Sequence, residues 1–389
     1  MIPYSRQNIN KKDVLEVTKV LKSDFLTQGK KVLEFERIVT NISKAKFGVA
    51  ANSASSALHL GCLALGIKKN DLVWTVPNTF VASANCAINC GASIDFVDID
   101  KNTWNISIDK LREKLIKAKK KKKLPKLVIP VHFAGQISEQ KKIWELSKKY
   151  KFKILEDASH SIGASHRKEK SGSCKWSDIT VFSFHPVKII TTGEGGMALT
   201  NNPVYAEKMR IFRTNGITQK NFSIKKNKNK PWYYEHQNFG YNYRMNDISA
   251  ALGISQVKRI KKFIKTRNLI AKKYKKILKN YPVKFQKIEK YNYSSFHLLP
   301  IQFDLKKTQK NYLSIFRKLR SKNFHINLHY MPLHLSPYFK KQGFKKGDFK
   351  NSEDYANTSM SLPIYYGLKN FQIIKITNLI KSFFHEKTR

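Results

Sequence analysis

Three short stretches of this 389-residue chain hold side chains whose types and spacing can do chemistry. The first is Ser177–Gly196, S-D-I-T-V-F-S-F-H-P-V-K-I-I-T-T-G-E-G-G. An apolar run ends at Ser183-Phe184-His185-Pro186, Lys188 follows, and a glycine-rich turn comes next. A lysine amine forms a Schiff base with a carbonyl only when neutral, and partial desolvation lowers its pKa. Gly193, Gly195 and Gly196 let the backbone approach a bound molecule closely. On these residues alone a plain turn lysine remains the simpler reading. The second stretch, I-L-E-D-A-S-H at 154–160, sets Asp157 at the end of another apolar run. A carboxylate there can pair with a cationic ring nitrogen, or simply cap a helix. The third, N-S-A-S-S-A-L at 52–58, offers free amides and three hydroxyls where a helix begins. That is an anion site, although ordinary capping explains it too. An anion cradle, a ring-nitrogen partner and an amine are what pyridoxal phosphate needs.

These residues must be positioned by regular elements. Apolar runs at 48–51, 72–76, 94–97, 127–131, 152–155, 179–184 and 197–200 read as strands. Helical patterns cover 53–65, 79–90, 107–118 and 139–150. Strands alternating with helices predict an α/β fold with a mainly parallel sheet, whose ligands bind beyond the strands' carboxyl ends. Before them, 12–22 reads as an amphipathic helix with Val14, Leu15, Thr18 and Leu21 on one face, and 32–43 as a second helix. The basic, proline-containing stretch 219–234 reads as a long loop, and 247–280 as one long helix interrupted only at Gly253. Strand-like 283–286 and 296–303, a helix at 309–322 and one at 371–384 complete an α+β segment. Little else is expected of the final fifty residues. We divide the chain into a large domain, 1–246, and a linking helix with a smaller α+β domain, 247–389.

Composition sets the outer bounds. Hydrophobic residues are 41% and charged residues 26%, an ordinary globular mix. No run of about 18 apolar residues predicts a membrane span, and the N-terminus lacks a signal peptide's apolar core, so a cytoplasmic protein is expected. Four cysteines, Cys62, Cys86, Cys90 and Cys174, make no disulfide framework and read as reduced core residues. His325 and His329 have the spacing of a metal pair, but the proline-terminated context argues against zinc, so no metal is expected. The formal charge of +47 favours anionic partners. Its lysines are spread along the chain, and the runs at 119–123 and 225–230 read as solvated loops or helix ends.

Six motifs carry a family resemblance: I-P-Y-S at 2–5, S-D-F-L-T-Q-G at 23–29, P-N-T-F-V-A at 77–82, V-H-F-A-G-Q at 131–136, E-D-A-S-H at 156–160 and F-S-F-H-P-V-K-I-I-T-T-G-E-G-G at 182–196. From Ile2 to about Phe339 the chain resembles the DegT/StrS-type sugar aminotransferases, which share the type I fold of aspartate aminotransferase. The 23–29 loop and His185-Pro186-Val187-Lys188 bring it nearest to the branch serving pseudaminic acid biosynthesis. The resemblance implies pyridoxal 5'-phosphate, with Lys188 as its carrier and Asp157 as the partner of its ring nitrogen. His160 matches the position beside the ring hydroxyl. Phe80 matches an aromatic stacked on the ring, though it reads equally as core. Ser55, Ser56 and Ser183 match phosphate contacts. Asn242 matches an asparagine that reaches the phosphate from a neighbouring subunit, which implies a homodimer. Thr27, His329 and Tyr330 match positions near substrate. The implied substrates are L-glutamate and a UDP-linked 4-keto-6-deoxy-N-acetylhexosamine; a GDP- or dTDP-linked sugar, or amination at C3, is the alternative. Some relatives carry histidine at the lysine position and act as dehydratases, so Lys188 implies transamination. A basic protein that keeps the fold and binds nucleic acid, without catalysis, is the reading from a different class.

Overall fold

The computed structural model describes residues 1–218, 223–224, 227, 229–308 and 310–385. Its centre is a seven-stranded sheet of β1 (Phe47–Ala51), β2 (Leu72–Thr75), β3 (Ser93–Phe96), β4 (Leu127–Val128), β5 (Lys153–Asp157), β6 (Ile179–Ser183) and β7 (Gly196–Thr200). The order across the sheet is β1-β7-β6-β5-β4-β2-β3. All pairings are parallel except those of β7, which runs antiparallel to β1 and β6. Every residue of β6 is buried, as in a strand covered by helices on both faces.

The first helix is α1 (Lys11–Leu21), and among the described residues α2 (Lys30–Ser43), α3 (Ala54–Ala64), α4 (Ala82–Ile88), α5 (Ile108–Lys120), α6 (Gln140–Tyr150) and α7 (Pro203–Arg213) lie on or beside this sheet. Helix α5 shows why the periodicity was readable: Leu111, Leu115 and Ala118 are buried on one stripe. Its last turn and the residues after it carry the lysines 119–123, all exposed. The pattern gave no sign of α7, which begins on Asn202 as cap with Pro203 in its first turn.

Helix α1 does not turn its apolar face inward. Val14, Leu15 and Leu21 are exposed, whereas Asp13 is buried. Asp13 accepts hydrogen bonds from Ser255 (2.6 Å) and Gln256 (2.9 Å) and pairs with Arg259. A buried carboxylate must be paired, and this network sets the rotation of the helix. The same network accounts for a correction at 247–280. The long helix is two, α8 (Asp247–Val257) and α9 (Ile260–Ile277), and Arg259 leaves helical geometry at the break. Gly253 sits inside α8 because a Cβ there would meet Phe35 and Thr192 at 2.7 Å.

A second core follows. Antiparallel strands β8 (Val283–Phe285), β9 (Leu299–Phe303) and β10 (Ser359–Leu362) pair with β9 in the middle. Apolar residues of α9, α10 (Tyr312–Ser321) and α12 (Asn370–His385) cover them, among them Ile270, Tyr274, Ile315, Leu319, Ile376 and Ile380. The helix expected at 309–322 is α10; residue 309 lies outside the described residues. The final fifty residues do more than close the chain, since they supply β10 and the preceding helix α11 (Lys350–Thr358). S-M-S-L is too short and too polar to announce a buried strand.

The stretch 219–234 joins a two-stranded ribbon, Ile217–Thr218 against Glu235–His236. Residues 219–222, 225, 226 and 228 of it, and with them much of the 225–230 lysine run, lie outside the described residues. All four cysteines are free; Cys90 is half-buried and the rest are buried. Among the described residues no helix is long and apolar enough to cross a membrane, and no cluster of three or more His, Cys, Asp or Glu could hold a metal ion.

Candidate active site

Beyond the carboxyl ends of β1, β5 and β6 lies a cavity of about 510 Å³. Ser55, Phe80, Asp157, His160, Ser183, Lys188, His329 and Tyr330 all line it. The elements explain this convergence. β5 ends in Asp157, β6 ends in Ser183, and β1 runs straight into the start of α3.

At one end, Ser53 caps α3 and accepts the Ser56 N–H at 3.1 Å. Ser53, Ala54 and the exposed Ser55 face the cavity with the helix N-terminus behind them. Ser56 does not join them. It is buried, and its hydroxyl donates to Asn52 Oδ1 at 2.6 Å. Gly196, the first residue of β7, lies against this turn; a Cβ there would meet the Ala54 N and Cα at 2.5 Å.

At the other end, the Asp157 carboxylate is held from two sides. Ser83 donates to Oδ2 at 2.6 Å and the Ser159 N–H to Oδ1 at 3.1 Å. Asp157 thus caps a turn with one oxygen. Lys188 lines the same cavity and is half-buried. Desolvation lowers its pKa from 10.5 to about 8, although the Asp157 charge raises it.

Three other side chains shape the wall. Phe80 is 56% exposed, so the core reading of this ring fails. His160 is buried, and burial, then the charges of Lys188 and His329, push its pKa well below the usual histidine value. Its Nδ1 accepts the Ala134 N–H at 3.3 Å, so the neutral ring carries its proton on Nε2, 3.1 Å from the Tyr330 Oη. His160 therefore donates to Tyr330, whose own O–H remains for the cavity it lines. His329 bonds Ser361 Oγ at 2.8 Å, and burial, then Lys188, lower its pKa to about 3.

Thr27 and Asn242 stand outside the cavity. Thr27 forms a bridge to Asn246, and the exposed Asn242 bridges Thr214. Several wall residues escaped the sequence reading, including Tyr4, Thr79, Glu194 and Asn327. Thr79 and Ser83 share one turn's spacing inside T-F-V-A-S, a hydroxyl pair that could have drawn notice. Tyr4 lies in the I-P-Y-S motif at 2–5, but nothing in its type marked it.

A model of the DegT/DnrJ/EryC1/StrS aminotransferase family matches residues 7–381. The chain belongs to that family. The UDP-4-amino-4,6-dideoxy-N-acetyl-beta-L-altrosamine transaminase of Campylobacter jejuni is 36% identical over 384 residues, 97% of this chain and 96% of that one. GDP-perosamine synthase of Caulobacter vibrioides is 36% identical over 250 residues, 64% of this chain and 62% of that one. Among solved structures, Helicobacter pylori PseC, an aminotransferase of pseudoaminic acid biosynthesis, has a TM-score of 0.87 at 31% identity, covering 98% of this chain and 99% of that one. Spr1654 of Streptococcus pneumoniae in its PLP form has a TM-score of 0.87 at 26% identity, covering 98% of each chain. The fold is that of the PLP-dependent aminotransferases of this family, with the mixed, mainly parallel sheet that the alternating strands and helices predicted.

Proposed function

We propose that this chain is a pyridoxal-phosphate aminotransferase that converts a UDP-linked 4-keto-6-deoxy-N-acetylhexosamine to its 4-amino sugar with L-glutamate, for pseudaminic acid biosynthesis. The observation that carries the reading is that Lys188, a doubly held Asp157 carboxylate and the α3 N-terminal turn all line one cavity. These residues fit the cofactor: the α3 start and Ser55 and Ser183 would hold its phosphate, Asp157 its ring nitrogen, Phe80 a ring face and Lys188 its carbonyl carbon. When bound, the cofactor supplies a carbonyl for amine capture and an electron sink for the donor α-carbon.

The chain's own residues do the rest. Lys188 Nζ, lowered toward neutrality, can take a proton from the donor α-carbon and return one during the sugar half-reaction. The Asp157 carboxylate, held by two donors, would stabilise a positive charge opposite it. Neutral His160 and the Tyr330 hydroxyl orient a polar group without adding charge.

A homodimer is part of the proposal. Leu15, Leu21, Phe25, Leu26 and Leu33 are exposed on the N-terminal helices and the loop between them. An apolar area of this kind suits burial against a second copy. The Thr27–Asn246 bridge ties that loop to the segment bearing Asn242, so the same association would carry Asn242 toward a neighbouring cavity.

The test is a panel of UDP-, GDP- and dTDP-linked keto-sugars incubated with the enzyme and glutamate, read by product mass and by the position of the new amine. Amination of the UDP-linked 4-keto sugar alone supports the proposal. A preference for the GDP-linked sugar would move it to the second reading, which the likeness to GDP-perosamine synthase favours.

A further inference from the structure

Asp157 presents two acceptor oxygens, and the bond from Ser83 is the shorter, at 2.6 Å. A carboxylate only accepts, so the Ser83 proton must point at Asp157. The Thr79 hydroxyl lies 2.7 Å from Ser83 Oγ and must then donate to it. Thr79 and Ser83 are 1% and 0% exposed, so both bonds run through protein interior. There a hydrogen bond to a charged group is worth more than in water.

We infer that Thr79 and Ser83 form a one-way hydroxyl relay that fixes the Asp157 carboxylate in one rotamer, so that its charge stays against a ring nitrogen and the proton there stays on the ring. This rests on the reading of Asp157 as the partner of the cofactor ring. Ser83 is a positioning residue, acting only through Asp157. Removing the Ser83 hydroxyl frees the carboxylate to turn away and loosens its hold on the ring proton. The ring is then a weaker electron sink, and a nitrogen next to it becomes more basic.

The experiment uses Ser83→Ala and wild-type enzyme, each loaded with pyridoxal phosphate and compared by bound cofactor, by pH titration of the visible absorbance, and by steady-state kinetics. A hydrogen bond to a charged group is worth about 1.5–3 kcal/mol, so kcat should fall roughly tenfold to a hundredfold. The KM for glutamate should change less than about threefold, because the effect lies in the transition state. The absorbance titration should move to higher pH. Ser83→Thr, which keeps the hydroxyl, should recover most of the rate. If Ser83→Ala does not accumulate as folded protein, Thr79→Val carries the same test, with a smaller fall in kcat and the same direction of titration shift. A folded, loaded variant with wild-type kcat and a wild-type titration overturns the relay. Wild-type enzyme that takes up no cofactor would instead sink the proposed function, and leaves the two failures distinct.

Discussion

The inner and outer sides of the cavity are built differently. On the inner side Asp157, His160 and Tyr330 are tied by hydrogen bonds to buried partners from several elements of this one chain. On the outer side Phe80 is open, and Thr27 and Asn242 stand away from the cavity near exposed apolar residues. A single chain therefore finishes the machinery for handling a charge and a proton. It leaves the mouth, where a large substrate must be gripped, to be finished by something else. In our account that is a second copy.

Five substitutions and a change of pH break or sharpen this contrast. Lys188→Ala removes the amine and should abolish turnover while the far-ultraviolet circular dichroism stays as in wild type; near-normal turnover would exclude Lys188 from its role. Asp157→Asn should slow catalysis by at least about a hundredfold, since it removes a preorganised charge, with cofactor still bound by dialysis. Phe25→Glu places a charge on the exposed apolar area and should convert a dimer to monomers in analytical ultracentrifugation with loss of activity; a fully active monomer would erase the distinction between the two sides. Ser55→Ala should weaken cofactor binding by about tenfold, as one lost hydrogen bond to an anion does, whereas Ser56→Ala, whose hydroxyl is engaged with Asn52, should change it far less. Equal effects would mean that the α3 turn rearranges on binding.

The last change is in pH. The Lys188 pKa is lowered to about 8 from 10.5, chiefly by burial. Cofactor uptake by cofactor-free enzyme should rise with pH and level off above about 8. Asp157 raises this pKa, so Asp157→Asn should move the midpoint lower. Between about 8 and 10.5 the unfolded chain holds more protons at this site than the folded one, so this lysine's contribution to stability improves as pH rises through that window. A midpoint near 10 would show that the amine is fully hydrated.

Much of the inner side was legible because its residues stand at strand ends. A parallel sheet delivers whatever follows Leu155 or Phe182 to the same edge, so the strand-end position of Asp157 was readable from periodicity, whereas Ser183 was named through the family motif. Partners brought in from far along the chain were not legible. Ser83 sits 74 residues from Asp157, and Tyr330 170 residues from His160. The rotation of α1 was hidden for the same reason, since Asp13 finds Arg259 only in three dimensions. Ser56 misled because a cap and a cradle use the same residue types, and the next-door serine took the outward place.

The most direct test is chemical trapping. Purified enzyme is loaded with pyridoxal phosphate, reduced with borohydride, digested, and mapped by mass spectrometry, with and without prior addition of glutamate. The account predicts a cofactor adduct on Lys188 alone, and its loss when glutamate is added first. An adduct scattered over surface lysines, or one on Lys188 that glutamate leaves untouched, would contradict it.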